Sequence, residues 1–367
     1  MKDSTFIRRL CLGIVLFLAV AICFYGWSVR KFHSIRKLGG RVKTEKVGGR
    51  LKVMFGNARL TDADLVHVKG LTDLTTLSIA NTQVTDAGLE HLTGLNSIRN
   101  LNISSTHVTD AGLVHLKQLT NLEMLILSST QIGDAGLVHL EDLKKLQTLF
   151  LSHTQVTDAG LEHLKKLPRL QVLYIGGLDV TDTGLTHLKE LTDLRKLYLA
   201  DTRVTDVGLV HLKELTKLDY LSLDRTEITD AGLVHLKELP NLQTLYLNFT
   251  KITDAGLANL HGLAEYEWLE LQLTRVTDGG PVDRENSTAP QTLKVNRADT
   301  RNSRRVVQNE ISGLKWLKLR GTQMTDAGLL HLHGLSSLEG LTLFDTQVTN
   351  QGVDELEQVL PNCHVVH

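Results

Sequence analysis

Histidine is the residue type whose spacing most invites a chemical reading. His67, His91, His115, His139, His163, His187, His211, His235 and His331 all hold one position of a 24-residue period. A row of imidazoles could bind metal, but a shared ion needs its ligand nitrogens about 2.1 Å away. If each period makes one turn of a stack, with helices about 8–10 Å apart, equivalent imidazoles fall short of a common ion. The column is therefore expected to be structural, each ring bridging neighbouring turns. Threonine forms a second column at Thr82, Thr106, Thr130, Thr154, Thr202, Thr226, Thr250, Thr274, Thr322 and Thr346, interrupted by Leu178 and Ala298. A hydroxyl there can satisfy backbone groups in a tight turn. Neither column has an acid–base partner at fixed spacing, so neither reads as a set of nucleophiles. The sequence shows no P-loop, no GxGxxG motif and no metal-ligand cluster. No catalytic residue, cofactor or metal is assigned, and the chain reads as a non-enzyme.

Positions that do not repeat are the better candidates. Aromatic residues are only 5% of the chain, so their placement is informative. Phe150, Tyr174, Tyr198, Tyr220, Tyr246 and Trp268 fall on outward positions of predicted strands, and Trp316, Lys318 and Arg320 follow on a later one, with Lys294 between. Earlier units present Thr76, Ser78, Asn100 and Asn102 instead. Consecutive strands would bring such side chains within stacking distance, giving an aromatic strip with a basic end. Tyr, Trp and Arg are enriched at binding hot spots, and exposed apolar patches mark interaction sites. Strand propensity alone also favours aromatics at these positions. The strip is the expected binding surface, for a protein or peptide, and its rings could also stack on a glycan.

The elements that position these residues follow from the period. The motif Thr-Asp-Ala-Gly-Leu, or a close variant, places its second residue at Asp62, Asp86, Asp110, Asp134, Asp158, Asp182, Asp206, Asp230, Asp254, Asp278, Asp326 and Asn350. Every interval is 24 except the 48 between Asp278 and Asp326, which implies thirteen places, one of them degenerate and centred near Asn302. Within a unit, Leu77 and Ile79 alternate with Thr76, Ser78 and Ala80, the period of a strand with one buried face. Thr85 and Asp86 suit a helix start, where an oxygen accepts from free N–H groups and an acid complements the dipole. Leu89, Leu92 and Leu95 then bury a helical face. Gly88 costs about 1 kcal/mol relative to Ala there, so its recurrence at Gly112, Gly136 and Gly160 points to close backbone approach between turns. One strand and one short helix cannot bury a core alone. Stacked, they give an α/β solenoid: a curved parallel sheet on the concave side, short helices on the convex side and leucines between.

At the ends, residues 29–38 read as an amphipathic helix, residues 41–55 as one or two strands and residues 363–366 as a last short strand. Between Gly279 and Gln308 the leucines leave the helix positions, with Pro281, Arg284 and Ser287 in their place. Leu293 and Val295 keep the strand pattern, so the sheet is expected to continue while its convex covering becomes irregular. Arg297, Arg301, Arg304 and Arg305 crowd this unit, as a solvated loop or an acidic-partner contact. The formal net charge of −1, with 22% charged residues, gives no global attraction to nucleic acid. Cysteines occur at Cys11, Cys23 and Cys363, leaving one thiol outside the N-terminal apolar run and no internal disulfide there. Three N-x-[ST] matches, at Asn102, Asn248 and Asn286, read as chance matches, the first two lying on predicted strands.

Residues 10–27 carry no charge, flanked by Arg8 and Arg9 before and Arg30 and Lys31 after. As a helix the run spans about 27 Å, near the roughly 30 Å hydrocarbon core, with Tyr25 and Trp27 as interfacial anchors. A transmembrane anchor in the lipid bilayer is expected. Ala19-Val20-Ala21 offers the rival reading of a cleaved signal peptide, although the apolar run continues past it. Cations after the run outnumber those before it, which by the positive-inside rule favours a cytoplasmic soluble part.

The units, of the form LxxLxLxxTxVTDAGLxHLxxL, resemble the leucine-rich-repeat family, and most of all the membrane-anchored repeat proteins of planctomycete bacteria. The resemblance covers essentially the whole chain, from Ile35-Arg36-Lys37-Leu38 to Leu360-Pro361-Asn362-Cys363. It implies a solenoid that binds other macromolecules. The repeats are also similar to those of F-box substrate adaptors, which carry Cys where Thr82, Thr106, Thr130 or Thr154 stand here; the chain has no F-box. The expected organisation is a tail over residues 1–9, the anchor over 10–27, an N-terminal cap and first strand over 28–59, regular repeats over 60–278, the degenerate unit over 279–310, and repeats with a cap over 311–367. The expected function is a single-pass anchored scaffold binding a partner on its concave face. The alternatives are an adaptor in ubiquitin-type turnover and an adhesion or glycan-binding module.

Overall fold

Each period contributes one short strand, because the alternation of inward Leu and outward residues lasts only three to five positions before the turn. The computed structural model describes residues 32–44, 50–55, 59–253, 267–276, 313–333 and 335–367. Its strands are β1 (Gly40–Thr44), β2 (Leu51–Phe55), β3 (Leu74–Ser78), β4 (Asn100–Asn102), β5 (Met124–Ile126), β6 (Thr148–Phe150) and β7 (Val172–Tyr174). The series continues with β8 (Lys196–Tyr198), β9 (Tyr220–Ser222), β10 (Thr244–Tyr246), β11 (Trp268–Glu270), β12 (Trp316–Lys318), β13 (Gly340–Thr342) and β14 (His364–Val366). They form one sheet in sequence order. β1 and β2 are antiparallel, and the later pairs are parallel.

The register aligns equivalent residues of successive periods. Leu77, Leu101, Leu125, Leu149, Leu173 and Leu197 face one another across β3 to β8 and are buried. The residues on either side of each such leucine make two columns on the open face of the sheet. After several strands the chain turns and makes a single α-helical turn, as at Asp86–Leu89, Asp134–Leu137, Asp158–Leu161 and Asp182–Leu185; after β4 and β9 the equivalent stretch is a 3-10 helix. The leucines of these stretches complete a continuous core. At the N-terminal end a helical stretch over residues 32–37 and the β1–β2 pair close the stack, with Ile35 and Phe55 buried.

A repeated clasp joins the turns. The Asp158 carboxylate of one turn accepts from the Thr181 N–H of the next at 2.8 Å and from the Thr181 hydroxyl at 2.6 Å. Asp62, Asp86, Asp134, Asp182, Asp206 and Asp326 hold Thr85, Thr109, Thr157, Thr205, Thr229 and Thr349 in the same way. A hydrogen bond to a charged group stabilises by roughly 1.5–3 kcal/mol. The clasp also accounts for the glycine column. A Cβ at Gly184 would sit well inside van der Waals contact with Asp158 Oδ1, and Gly112, Gly136, Gly160, Gly208 and Gly232 stand likewise against the aspartate of the preceding turn. The close approach expected at these glycines is present, and the approaching group is a carboxylate. The threonine column works within each turn: Thr82, Thr106 and Thr130 donate their hydroxyls to the carbonyls of Ile79, Ile103 and Leu127.

Three expectations are corrected. First, no strand among the described residues stands between β11 and β12, where the sheet is expected to continue through Leu293 and Val295. β11 pairs with β10 on one side and directly with β12 on the other, Trp268 opposite Trp316, so both its edges are taken. The interval of 48 residues is one step of the sheet; Leu293 and Val295 lie outside the described residues. A residue count in multiples of 24 preserves helical phase whether or not the extra unit forms a turn. Second, no helix among the described residues is long and apolar enough to cross a membrane. The longest described, Asn350–Val359, has ten residues, about 15 Å at 1.5 Å per residue, half a hydrocarbon core. The expected anchor over residues 10–27 lies outside the described residues, and the transmembrane helix and the membrane localisation drawn from it are withdrawn. Third, the described histidines do not form a continuous inter-turn ladder. Among the described residues His163 Nδ1 meets Glu141 Oε1 of the preceding turn at 2.8 Å, whereas His139 Nδ1 is buried without a partner.

The clasp predicts a non-additive pair. Asp158→Ala leaves two donors of Thr181 unsatisfied and should cost about 2–4 kcal/mol. Gly184→Ala, which displaces the carboxylate, should cost about 1–3 kcal/mol. In the Asp158→Ala background the second change should cost far less, because Gly→Ala then regains helix propensity. Urea unfolding of the four proteins measures the coupling, and simple additivity would exclude the clasp as the reason for the glycine.

Candidate partner-binding interface

The open face takes its side chains from two columns, the first and third residues of each strand. Phe150, Tyr174 and Tyr198 occupy the third position of β6, β7 and β8, and register sets them opposite one another. Phe150 and Tyr174 stack with centroids 4.0 Å apart and planes at 11°, and Tyr174 and Tyr198 at 3.7 Å and 10°. At β9 the third position is Ser222, and the aromatic residue moves to the first, Tyr220, whose ring tilts against Tyr198 at 4.5 Å. Tyr246 returns to the third position and lies 5.2 Å from Tyr220. Five half-buried rings therefore run in unbroken succession. Trp268 and Trp316, at first positions, form a separate pair 5.5 Å apart. Trp316 keeps 39% of its surface exposed. It lies flat over Gly340, where a Cβ would collide with its ring.

The stacking fixes what the strip can offer. Rings at these separations cover each other's faces and leave their edges outward. Burial raises the Tyr198, Tyr220 and Tyr246 phenols above the ordinary tyrosine range; the neighbouring Tyr174 adds to it at Tyr198, and Tyr246 at Tyr220. They stay neutral donors and acceptors at physiological pH.

The basic end reads differently in three dimensions. Arg320 Nε donates to Asp345 Oδ2 at 2.9 Å, and Lys315 Nζ donates to Glu267 Oε1 at 2.7 Å. Lys318 Nζ meets Glu270 Oε1 at 2.7 Å and lies 4.9 Å from the Trp268 ring centroid. The cations are thus offset by acids, and Lys294 lies outside the described residues.

Sequence reasoning missed the acids themselves. Glu270, at the third position of β11, is only 5% exposed. Its Oε1 also accepts from Trp268 Nε1 at 2.9 Å, and its Oε2 accepts from Asn248 Nδ2 at 3.1 Å and Gln272 Nε2 at 2.9 Å. Asp224 accepts from the Asn248 N–H at 2.8 Å and from Ser222 Oγ at 3.2 Å. Burial pushes the Asp224 carboxyl above its usual range, against the pull of these hydrogen bonds. The available signal was a lone acid in a column that runs Phe150, Tyr174, Tyr198, Ser222 and Tyr246 before it and Lys318 after it. Beside this cluster Phe249 and Leu273 stand 44% and 48% exposed with φ of 58° and 53°. Holding a bulky side chain in the left-handed region costs roughly 1–2 kcal/mol, so the fold keeps two apolar groups outward at some expense. Arg225 covers the Phe249 ring at 4.1 Å.

No group of three His, Cys, Asp or Glu among the described residues could hold a metal ion. Cys363 is buried, and burial lifts its thiol to about 11, as expected of a packed side chain.

Comparison with known proteins agrees with this architecture. Two sequence profiles described as leucine rich repeat match the chain, one at residues 192–252 and the other at 70–92, 118–140 and 142–165. The matched stretches are leucine-rich repeats. A search of curated proteins returns no match. Among solved structures, an internalin from Listeria monocytogenes is similar at 24% identity and a TM-score of 0.61, over 86% of this chain and 85% of that one. The ectodomain of the Arabidopsis thaliana membrane receptor kinase GASSHO1/SCHENGEN3, solved in complex with CASPARIAN STRIP INTEGRITY FACTOR 2, is similar at 18% identity and a TM-score of 0.53, over 89% of this chain and 39% of that one. At these identities the likeness is one of fold. Leucine-rich-repeat proteins are in general binding scaffolds.

The buried phenols carry a stability consequence. Their folded pKa values are raised, so above about pH 10 the unfolded state releases protons that the native state keeps. Stability should therefore fall as pH rises through that value. Urea unfolding at about pH 9 and about pH 11 checks this, and the double variant Tyr198→Phe/Tyr220→Phe should lose less between the two. An equal loss in both proteins would place the phenols in water.

Proposed function

We propose that this protein is a non-catalytic leucine-rich-repeat scaffold that binds a protein or peptide across its open, concave face, along the surface formed by Phe150, Tyr174, Tyr198, Tyr220, Tyr246, Trp268, Trp316, Lys318 and Arg320. The observation that carries this reading is the unbroken succession of five rings at positions the solenoid does not need. The repeat fixes the inward leucine of each strand and leaves the outward columns free, as the polar Thr76, Asn100 and Asn102 demonstrate. An aromatic run there answers to something other than the core. Rigid, pre-stacked rings lose little conformational entropy on binding. The receptor-kinase ectodomain solved with its factor is a precedent for the fold in recognition.

Stacking on a sugar is poorly served by this strip, because the faces from Phe150 to Tyr198 are covered by neighbouring rings. No observation favours the turnover-adaptor reading; Thr82, Thr106, Thr130 and Thr154 are engaged within their own turns.

A random peptide library selected on the purified chain tests the surface. Tyr174→Ala/Tyr198→Ala should weaken the selected peptides at least tenfold, about 1.4 kcal/mol. Val114→Ala/Val138→Ala, on the exposed side of the helices, should change affinity less than about twofold. Binding that survives the tyrosine change and fails with the valine change would move the site to the other face.

A further inference from the structure

We propose that Glu270 is a receptor for a basic side chain of the partner, and that Lys318 occupies this receptor as an internal stand-in until the partner displaces it. The inference rests on the concave-face reading above and gives its occupant a chemistry. Other ion pairs of the solenoid, such as Arg99–Glu123, Lys217–Asp193 and Arg320–Asp345, leave both partners well exposed. Pairs of that kind contribute little. Glu270 is different, being almost wholly buried on a face that is otherwise open.

Four donors converge on it, from Trp268, Asn248, Gln272 and Lys318. Three belong to β11, or to the segments that continue β10 and β11, and they fix the carboxylate in place. The fourth, Lys318, arrives from β12 on a flexible four-carbon stem and is about one-third exposed. Of the four side chains it has the longest flexible stem, and it alone carries a charge.

What surrounds the carboxylate suits a cation. Register places Tyr246 and Lys318 on the strands to either side of Glu270, and the Trp268 indole carries the Lys318 ammonium 4.9 Å from its centroid. A ring face together with a carboxylate is the combination that attracts ammonium and guanidinium groups. Asp224, reached through Asn248, adds a second acid beside Glu270. Exposed Phe249 and Leu273 at the rim provide apolar surface for the stem of an incoming side chain.

Exchange also avoids the main cost of using a buried charge. Opening an uncompensated carboxylate is expensive, because removing one partner of a buried pair leaves the other charge unpaired. Replacing one cation by another keeps Glu270 paired, while Lys318 returns to water, where its solvation is favourable. Partner contacts along the tyrosine strip then decide the affinity.

The test uses peptides selected from a random library on the full chain and kept because Tyr174→Ala/Tyr198→Ala weakens them. These should share a Lys or Arg whose replacement by norleucine lowers affinity about tenfold. Glu270→Gln, which keeps the shape and one acceptor oxygen but removes the charge and turns an NH2 toward one pair of donors, should bind the basic and norleucine peptides alike. Lys318→Met should bind the basic peptide several-fold tighter, a gain that misfolding cannot mimic. Tyrosine-dependent peptides with no basic residue, or a Glu270→Gln variant that keeps the preference, would overturn the cation receptor and leave the concave surface standing. A Lys318→Met loss as large as that of Glu270→Gln would make Lys318 a contact and overturn the exchange. If no peptide depends on the tyrosines, the surface and the receptor both fall.

Discussion

The architecture depends on one interaction, the carboxylate of each turn closing on the backbone N–H and hydroxyl of a threonine in the next. Leucine packing alone would allow neighbouring turns to slide, since apolar contact is non-directional. Two hydrogen bonds to one aspartate, at 2.7 Å each where Asp134 holds Thr157, set both the distance and the rotation of successive turns. The glycine that follows the aspartate by two residues exists because the preceding carboxylate needs its space. Strand register, and with it every column on the open face, inherits its alignment from this clasp. Where Gly133 replaces the threonine, its N–H still binds Asp110 at 2.7 Å, so the backbone half of the clasp survives loss of the hydroxyl.

Much of this was legible in the sequence because it is periodic and local. The strands, the buried leucines and the outward placement of Phe150, Tyr174 and Tyr198 all follow from alternation within one unit, and periodicity carries the same reading to every other. What was not legible depends on comparison between turns. Asp86 suits the start of its own helix, and that local role gives no hint of the bond to Thr109. Thr106 and Leu293 look equally in register by residue count, yet the sheet steps directly from Trp268 to Trp316. Counting residues measures phase, and only hydrogen bonding decides how many turns are built. Glu270 escaped for a related reason, since a single acid in a strand says nothing of the four donors that other segments bring to it.

The seam between β11 and β12 deserves its place in the functional reading on these grounds. It joins residues 48 apart in sequence, where all other steps from β3 to β13 join residues 24 apart. The same seam holds the tryptophan pair, the buried carboxylate and its lysine. Concentrating unusual chemistry at the one irregular step is economical for a repeat protein. Elsewhere a substitution must satisfy the neighbours on both sides of an identical turn, whereas here those neighbours already differ.

The tyrosine strip and the acidic cluster divide the open face by kind of contact. Between Phe150 and Tyr246 the rings turn their faces to one another, so the surface offered is one of ring edges, tolerant of sequence and well suited to supplying area. From Trp268 onward the first-position rings pair across the seam, and the column beside them carries charge instead of aromatics. A charge held by fixed donors discriminates more strongly than an apolar contact, because a wrong partner leaves it unpaired at a cost of several kcal/mol. Area from the strip without the carboxylate would give adhesion with little selectivity, and the carboxylate without the strip would give a weak point contact. Their adjacency on neighbouring strands, with Tyr246 opposite Glu270, puts both within reach of one extended segment under the proposed reading.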